Sequence, residues 1–473
     1  MKDKIVSTDC GLVRGKRNGA GYAFLGIPFG RAERFCPPEP VTWEGVRDCL
    51  EYAPAAPQPD RQGAWPEGVP FSWNGSEEEG LNLNIWTKSV EKDANLPVVI
   101  YIYGGAFQVG SNSMPSRAGD LFMEDREMVF VAVNYRGGVL GFLEMGEIEP
   151  SLRGSGNNGI RDLLLAIDWV HRNIRSFGGS PERITLFGIS AGAKSIASLL
   201  TLPQIQECCS QVVLESGAMQ AFRTEHTAQA VARDFLHCLP ADISPRDLEL
   251  GELLRCQAEF CGRAGATCFF GPVLTEPFAK DWEQRWESGE SWRGSALIGC
   301  GAQEMLNTVR NPEFKENPGQ VVADLFGDHA SLAMYKKEEL CEAGVAEEEA
   351  WTRVLSDFMY RYYSDGLARK LADEGNPVWC YSFEYAPAVH GRGFHFMMNE
   401  WDAPQGTEPE EAERLTAFMR RNVRAFLCDG APEEKSWRPY EGKHKMIFTS
   451  EPHMEERPED TLTGFPVQVY TRG

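Results

Sequence analysis

The residues with the clearest chemical potential are Gly188-Ile189-Ser190-Ala191-Gly192. They follow a strand-like run at 184–187 and open a helical pattern at 191–200. A serine on a sharp strand-to-helix turn stands clear of its sheet and can attack a carbonyl carbon. The small residues on either side let the strained backbone form. The positive end of the following helix helps to hold negative charge as it develops. Gly and Ser are also common in plain turns, so this motif draws its meaning from the strand before it and the helix after it. A second candidate element is Gly104-Gly105-Ala106-Phe107, after a strand-like run at 97–103. There the N–H groups of Gly105 and Ala106, together with that of Ala191, can point into one cavity and stabilise an oxyanion. The same loop also reads as close packing after a buried strand.

The elements that must position these residues alternate along the first half of the chain. Runs at 97–103, 128–134, 183–187 and 211–214 are β-branched and aromatic. They are nearly continuous in apolar residues, as strands buried on both faces of a parallel sheet are. Between them, Leu163, Ala166, Ile167, Val170 and Ile174 form one helical stripe at i, i+3, i+4 spacing, closed by Gly178-Gly179. This alternation predicts an α/β fold with helices on both faces of the sheet. The regions 224–264 and 312–371 are richer in helix formers and charge, and read as helical insertions over the carboxyl edge of the sheet. A strand returns at 377–385 and a long helical pattern covers 410–426. Nothing Pro-, Gly- or Ser-rich separates two halves, so residues 1–473 read as a single domain.

The chain has 473 residues, 47 basic and 69 acidic, for a net charge of −22. That excess argues against nucleic acid, which needs a basic face, and against an anionic membrane surface. No segment approaches the roughly 20 apolar residues that span a bilayer, and the first residues lack the apolar core of a signal peptide. The 13 cysteines are scattered, without zinc-ligand spacing. Cys256, Cys261 and Cys268 cluster only loosely. The expectation is free thiols in a reducing cytoplasm, with no metal and no cofactor.

The motifs around the serine extend into an ordered series. Gly26-Ile-Pro-Phe-Gly30 is followed by Arg34-Phe35 and Trp43, then by Glu78-Glu-Gly-Leu-Asn-Leu-Asn-Ile-Trp86. Asn134-Tyr-Arg136, Gly141-Phe142, Gly156-Asn-Asn-Gly159, Asp162, Trp169-Val170, Asn173-Ile174 and Phe177-Gly-Gly179 lead into the serine motif. Leu214-Glu-Ser-Gly217 and Trp437-Arg-Pro-Tyr440 come after it. With these the chain resembles the type-B carboxylesterases, the family that includes cholinesterases. The resemblance implies an α/β-hydrolase fold with a mostly parallel central sheet.

It also implies roles for further residues. Gln303-Glu304 matches the segment of the family's triad acid and Val389-His390-Gly391 that of its histidine, giving the chain order Ser190, Glu304, His390. Ser216 matches a serine that contacts the acid. Phe107, Ile189 and Met397 are expected to line the substrate pocket. Glu215 is a rival acid that the resemblance places at a strand end. His395, flanked by apolar residues, is a rival base expected instead to be packed or to line the pocket. Arg136 and Asp162 are expected to form a buried ion pair.

The chain departs from the family pattern at several positions. Ile189 stands where the family usually has Glu, which argues against choline esters. Ala106 replaces the third glycine of the loop, Tyr103 stands where many bacterial members have His, and Gly80 replaces a cysteine of a family disulfide. Met305 replaces the glycine after the acid, and Gly393 replaces an acidic residue after the histidine. The expected activity is a serine carboxylesterase acting on small, neutral, fairly apolar esters through an acyl-enzyme, as a monomer or homodimer. An amidase, carbamate hydrolase or lipase would use the same triad, and a non-catalytic binding protein could share the fold.

Overall fold

The computed structural model describes residues 3–59, 75–113, 123, 127–240, 243–262, 269–278, 292–399 and 409–457. Its main sheet begins with β1 (Lys4–Ser7), β2 (Leu12–Asn18) and β3 (Gly21–Pro28). The chain then adds β4 (Asn82–Thr87), β5 (Leu96–Ile102), β6 (Val129–Val133), β7 (Gly179–Ile189) and β8 (Gln211–Glu215). It ends with β9 (Ser295–Gly301), β10 (Val378–Phe383), β11 (His444–Phe448) and β12 (His453–Glu456). The spatial order is β1-β2-β3-β4-β6-β5-β7-β8-β9-β10-β11-β12. Strands from β6 through β11 pair in parallel, while both ends of the sheet are antiparallel. Every residue of β5 and β6 is buried, as their unbroken apolar runs predict.

Helix α1 (Asn158–Asn173) buries Leu163, Ala166, Ile167 and Val170, the stripe read from the sequence. It runs into a short turn that ends at Gly178 with φ of 81°. The predicted ion pair lies against it. Arg136 donates from Nε to Asp162 Oδ2 at 2.8 Å and from Nη2 to Oδ1 at 2.7 Å, and Nη1 donates to the Cys36 carbonyl. With the guanidinium and carboxylate paired in this way, removing either partner would leave a buried charge uncompensated.

Helix α2 (Ala191–Leu199) packs on β7 and β8. The 224–264 region carries α3 (Glu225–Leu236) and α4 (Leu250–Phe260), and its last two residues lie outside the described residues, as does Cys268. The 312–371 region carries α5 (Pro318–Phe326), α6 (Ala330–Glu342), α7 (Glu347–Ser356) and α8 (Tyr362–Asp373). Between α7 and α8 the chain widens into a π-helical turn, Asp357–Arg361. Helices α9 (Arg392–Met398) and α10 (Pro409–Asp429) pack on each other late in the chain. Among the described residues no helix is long and apolar enough to cross a membrane.

Candidate active site

Ser190 sits between β7 and α2 at φ 55° and ψ −121°, a backbone conformation that a residue with a Cβ adopts only under constraint. Two hydrogen bonds impose it. The Ser190 N–H donates to the Glu215 carbonyl at the end of β8 at 2.8 Å, and the Ser190 carbonyl accepts the Lys194 N–H at 2.9 Å. The motif's glycines are required by contact. A Cβ on Gly192 would lie 2.0 Å from the Ile102 carbonyl oxygen, and one on Gly188 would lie 2.6 Å from Ala193 N.

Glu304 and His390 reach the serine on loops that leave the carboxyl ends of β9 and β10. The two loops are bound to each other. The Gln303 N–H donates to the Ala388 carbonyl at 3.0 Å, and Gln303 Oε1 accepts the Ala388 N–H at 3.2 Å. The Ala302 N–H donates to the Phe383 carbonyl. His390 Nε2 lies 2.9 Å from Ser190 Oγ, and His390 Nδ1 is in short contact with Glu304 Oε2. The other Glu304 oxygen accepts the Ser216 hydroxyl at 2.6 Å and the Gly301 N–H at 2.5 Å. An ionised carboxylate only accepts hydrogen bonds. The His390 proton therefore belongs on Nδ1, which leaves Nε2 free to take the serine proton. The Glu304 side chain is fully buried, while that of His390 is 33 % exposed.

The loop 104–107 lies against this turn: a Cβ on Gly104 would stand 2.9 Å from Ser190 Cβ. Gly105 has φ of 123°, Ala106 of 55° and Phe107 of 58°. Among the described residues, the N–H groups of Gly105, Ala106 and Ala191 donate to no other group. Ala191 is the first residue of α2, whose leading N–H groups have no partner within the helix. Ala106 keeps its N–H despite replacing a glycine.

The structure corrects several expectations. Met397 does not line a pocket: it is completely buried on α9, and its carbonyl accepts from Arg420. Phe107 is 3 % exposed, with its ring edge-on to Phe142 at 5.0 Å. Ile189 remains half-buried beside Ser190 and reaches toward Gly391. His395 is exposed, which excludes the packed alternative for it. Met305, at φ −98°, sits in a conformation open to any side chain, so the family's glycine is not needed there.

Two residues escaped the sequence reading. The Tyr360 ring lies 4.8 Å from the His390 ring, carried by the π-helical turn. That turn and the residue before it are tied to the site twice more. Ser356 Oγ accepts the Met305 N–H at 3.1 Å, and the Met359 carbonyl accepts Gln220 Nε2 at 3.0 Å. The buried Lys194 places its ammonium 5.0 Å from the centre of the Tyr360 ring. Its i+4 spacing from Ser190 was the available signal, since helical side chains lean toward the N-terminus. Tyr360 had none, because no periodic pattern marks a π-turn. Tyr360→Leu is expected to lower kcat by about tenfold through a loosened imidazole, with Tyr360→Phe near wild type. Steady-state kinetics on a nitrophenyl ester checks both.

A model of the carboxylesterase family matches residues 2–260. The para-nitrobenzyl esterase of Bacillus subtilis (strain 168) is 34 % identical across 97 % of this chain and 97 % of its own length. A probable N-octanoylanthranilate hydrolase of Rhodococcus erythropolis is 30 % identical across 80 % of this chain and 79 % of its own. The solved carboxylesterase EST55 of Geobacillus stearothermophilus superposes with a TM-score of 0.81 at 28 % identity, covering 96 % of this chain and 98 % of that one. With the parallel sheet and the serine turn at its centre, the chain belongs to the carboxylesterase family: it is a serine carboxylesterase of the α/β-hydrolase fold.

Proposed function

We propose that Ser190, His390 and Glu304 form the catalytic triad, and that the preferred substrates are small, neutral, fairly apolar carboxylic esters. The observation that carries the reading is the contact of 2.9 Å between His390 Nε2 and Ser190 Oγ, with the other ring nitrogen held by Glu304. As Ser190 attacks the ester carbonyl, His390 accepts its proton and then passes it to the leaving alcohol. Glu304 keeps the imidazole in the right tautomer and stabilises the imidazolium. The N–H groups of Gly105, Ala106 and Ala191 hold the oxyanion, and the loss of one such donor costs about 3–4 kcal/mol. Water then cleaves the acyl-enzyme with His390 again as base. Ser216 holds the acid.

Ile189 supports the neutral preference. It puts an aliphatic side chain beside the nucleophile, where a carboxylate would attract a cationic alcohol group. We read the whole chain as one domain with helical insertions at 224–264 and 312–371, and as a monomer or homodimer. A cytoplasmic location is supported by the 12 cysteines of the described residues, none of which is in a disulfide.

A fluorophosphonate probe tests the nucleophile directly. Wild type is expected to carry one adduct on the peptide that contains Ser190, and Ser190→Ala none. An adduct on another serine, or no adduct, overturns the assignment. A panel of esters, amides and carbamates of graded size then maps both sides of the pocket. Faster turnover of cationic or long-chain substrates would overturn the stated preference.

A further inference from the structure

Ser216 has one hydroxyl proton and two carboxyl neighbours. Its Oγ lies 2.6 Å from Glu304 Oε1 and 3.3 Å from Glu215 Oε1. The shorter contact takes the proton. A Glu215 carboxylate would then face the Ser216 oxygen with lone pair against lone pair, unless Glu215 itself carries a hydrogen there. The second Glu215 oxygen accepts the Tyr381 phenol in a short contact. Both carboxyls are buried, Glu215 completely and Glu304 at 2 % exposure.

We propose that Glu215 is a neutral carboxylic acid that donates to Ser216, so that the chain Glu215, Ser216, Glu304 positions the acid against His390. Glu215 is then a positioning residue with no substrate contact, and the inference rests on reading Ser190, Glu304 and His390 as a triad. Two neighbouring carboxyls in one buried site cannot both ionise, so a single negative charge sits on the member that faces the imidazole.

The surroundings agree. Desolvation, and then the charge of Glu304, push the Glu215 carboxyl well above its ordinary range. The groups facing it are Glu304 from the loop after β9, Tyr381 from β10, Ser216, and the Phe394 N–H from α9. Cys300 on β9 is a further neighbour; burial pushes its thiol up, the charges of Glu304, Asp365 and Glu215 add to this, and Lys445 opposes it. Among the described residues no Lys or Arg forms an ion pair with Glu215. Gly393 completes the site, because a Cβ there would stand 2.8 Å from Glu215 Oε1. The glycine that replaces the family's acidic residue makes room for this carboxyl.

Infrared difference spectroscopy of the intact enzyme reads the proton directly. At neutral pH wild type is expected to show the carbonyl stretch of a buried protonated carboxyl, shifted in D2O and absent in Glu215→Gln. Tyr381→Phe should shift the same band, which identifies it even where the Gln variant fails to fold. In kinetics Glu215→Gln, an isostere of the neutral acid, should keep kcat within about threefold of wild type, whereas Glu215→Leu should lose about 10²-fold through a misplaced Glu304.

The sign for stability follows from a carboxyl whose pKa is raised by folding. The folded state binds the extra proton, so wild type loses stability as pH rises from the unfolded carboxylate pKa toward the folded one. Glu215→Gln should therefore gain on wild type in Tm as the pH rises above the unfolded carboxylate range. An absent band, or a folded Gln variant that is inactive, overturns the inference. If wild type also fails to take the fluorophosphonate on Ser190, it is the triad reading that falls.

Discussion

Hydrolysis of a short-chain nitrophenyl ester by Ser190→Ala is expected to fall by about 10⁶-fold in kcat, the scale on which a serine triad acts as a unit. The residual rate would come from binding and from the proposed oxyanion donors Gly105, Ala106 and Ala191. His390→Ala should fall by a similar factor, and the double variant by little more, because each substitution removes the same proton-coupled attack. His395→Ala provides the contrast. That side chain is exposed on α9, and His390 is the histidine whose ring nitrogen lies 2.9 Å from the serine. It should stay within about twofold of wild type, as the substitution of an exposed side chain does. Ala retains the Cβ, so the strained turn at φ 55° is unchanged and Tm should match wild type. Near-normal turnover by Ser190→Ala, or an equal loss for both histidine variants, would refute the assignment.

Glu304→Gln is the second large effect, expected at about 10⁴-fold in kcat with the fold intact. The argument turns on acceptors. Glu304 Oε1 accepts from Ser216 and Gly301, and Oε2 accepts from His390. An amide supplies one oxygen and one NH2. Two donors hold the oxygen on the Ser216 side, so the NH2 faces the ring and donates to Nδ1. The imidazole proton moves to Nε2, where it blocks acceptance of the Ser190 proton. The same change at Glu215 is expected to be nearly silent. Equal losses at 215 and 304 in kcat, measured beside Tm, would show that the carboxyl pair does not divide its work this way.

Much of the architecture is visible in the residues themselves. β5 and β6 read as strands because both of their faces are buried, and α1 reads as a helix because only one stripe of it is. The serine turn is equally local, since it needs small residues at fixed offsets between a strand and a helix. Glu304 and His390 were reached through resemblance, as no local spacing singles them out. The errors have a common cause. His395 has apolar neighbours in sequence, yet each helical step turns the side chain by about 100°, so α9 buries Phe394, Phe396 and Met397 while His395 faces out. The same rotation takes Met397, expected to line the pocket, into the core.

By itself the sequence determined the strand and helix periods, the strained serine turn and the residue types available for chemistry. These depend on neighbours a few positions away. Only the tertiary structure decided which of two histidines meets Ser190, which of two carboxyls meets His390, and that Tyr360 closes over the ring. Those choices depend on the order of β7, β8, β9 and β10 in the sheet and on the hydrogen bonds between the loops that leave them. Contacts between residues so far apart in the chain exist only once the sheet has brought the strand ends together.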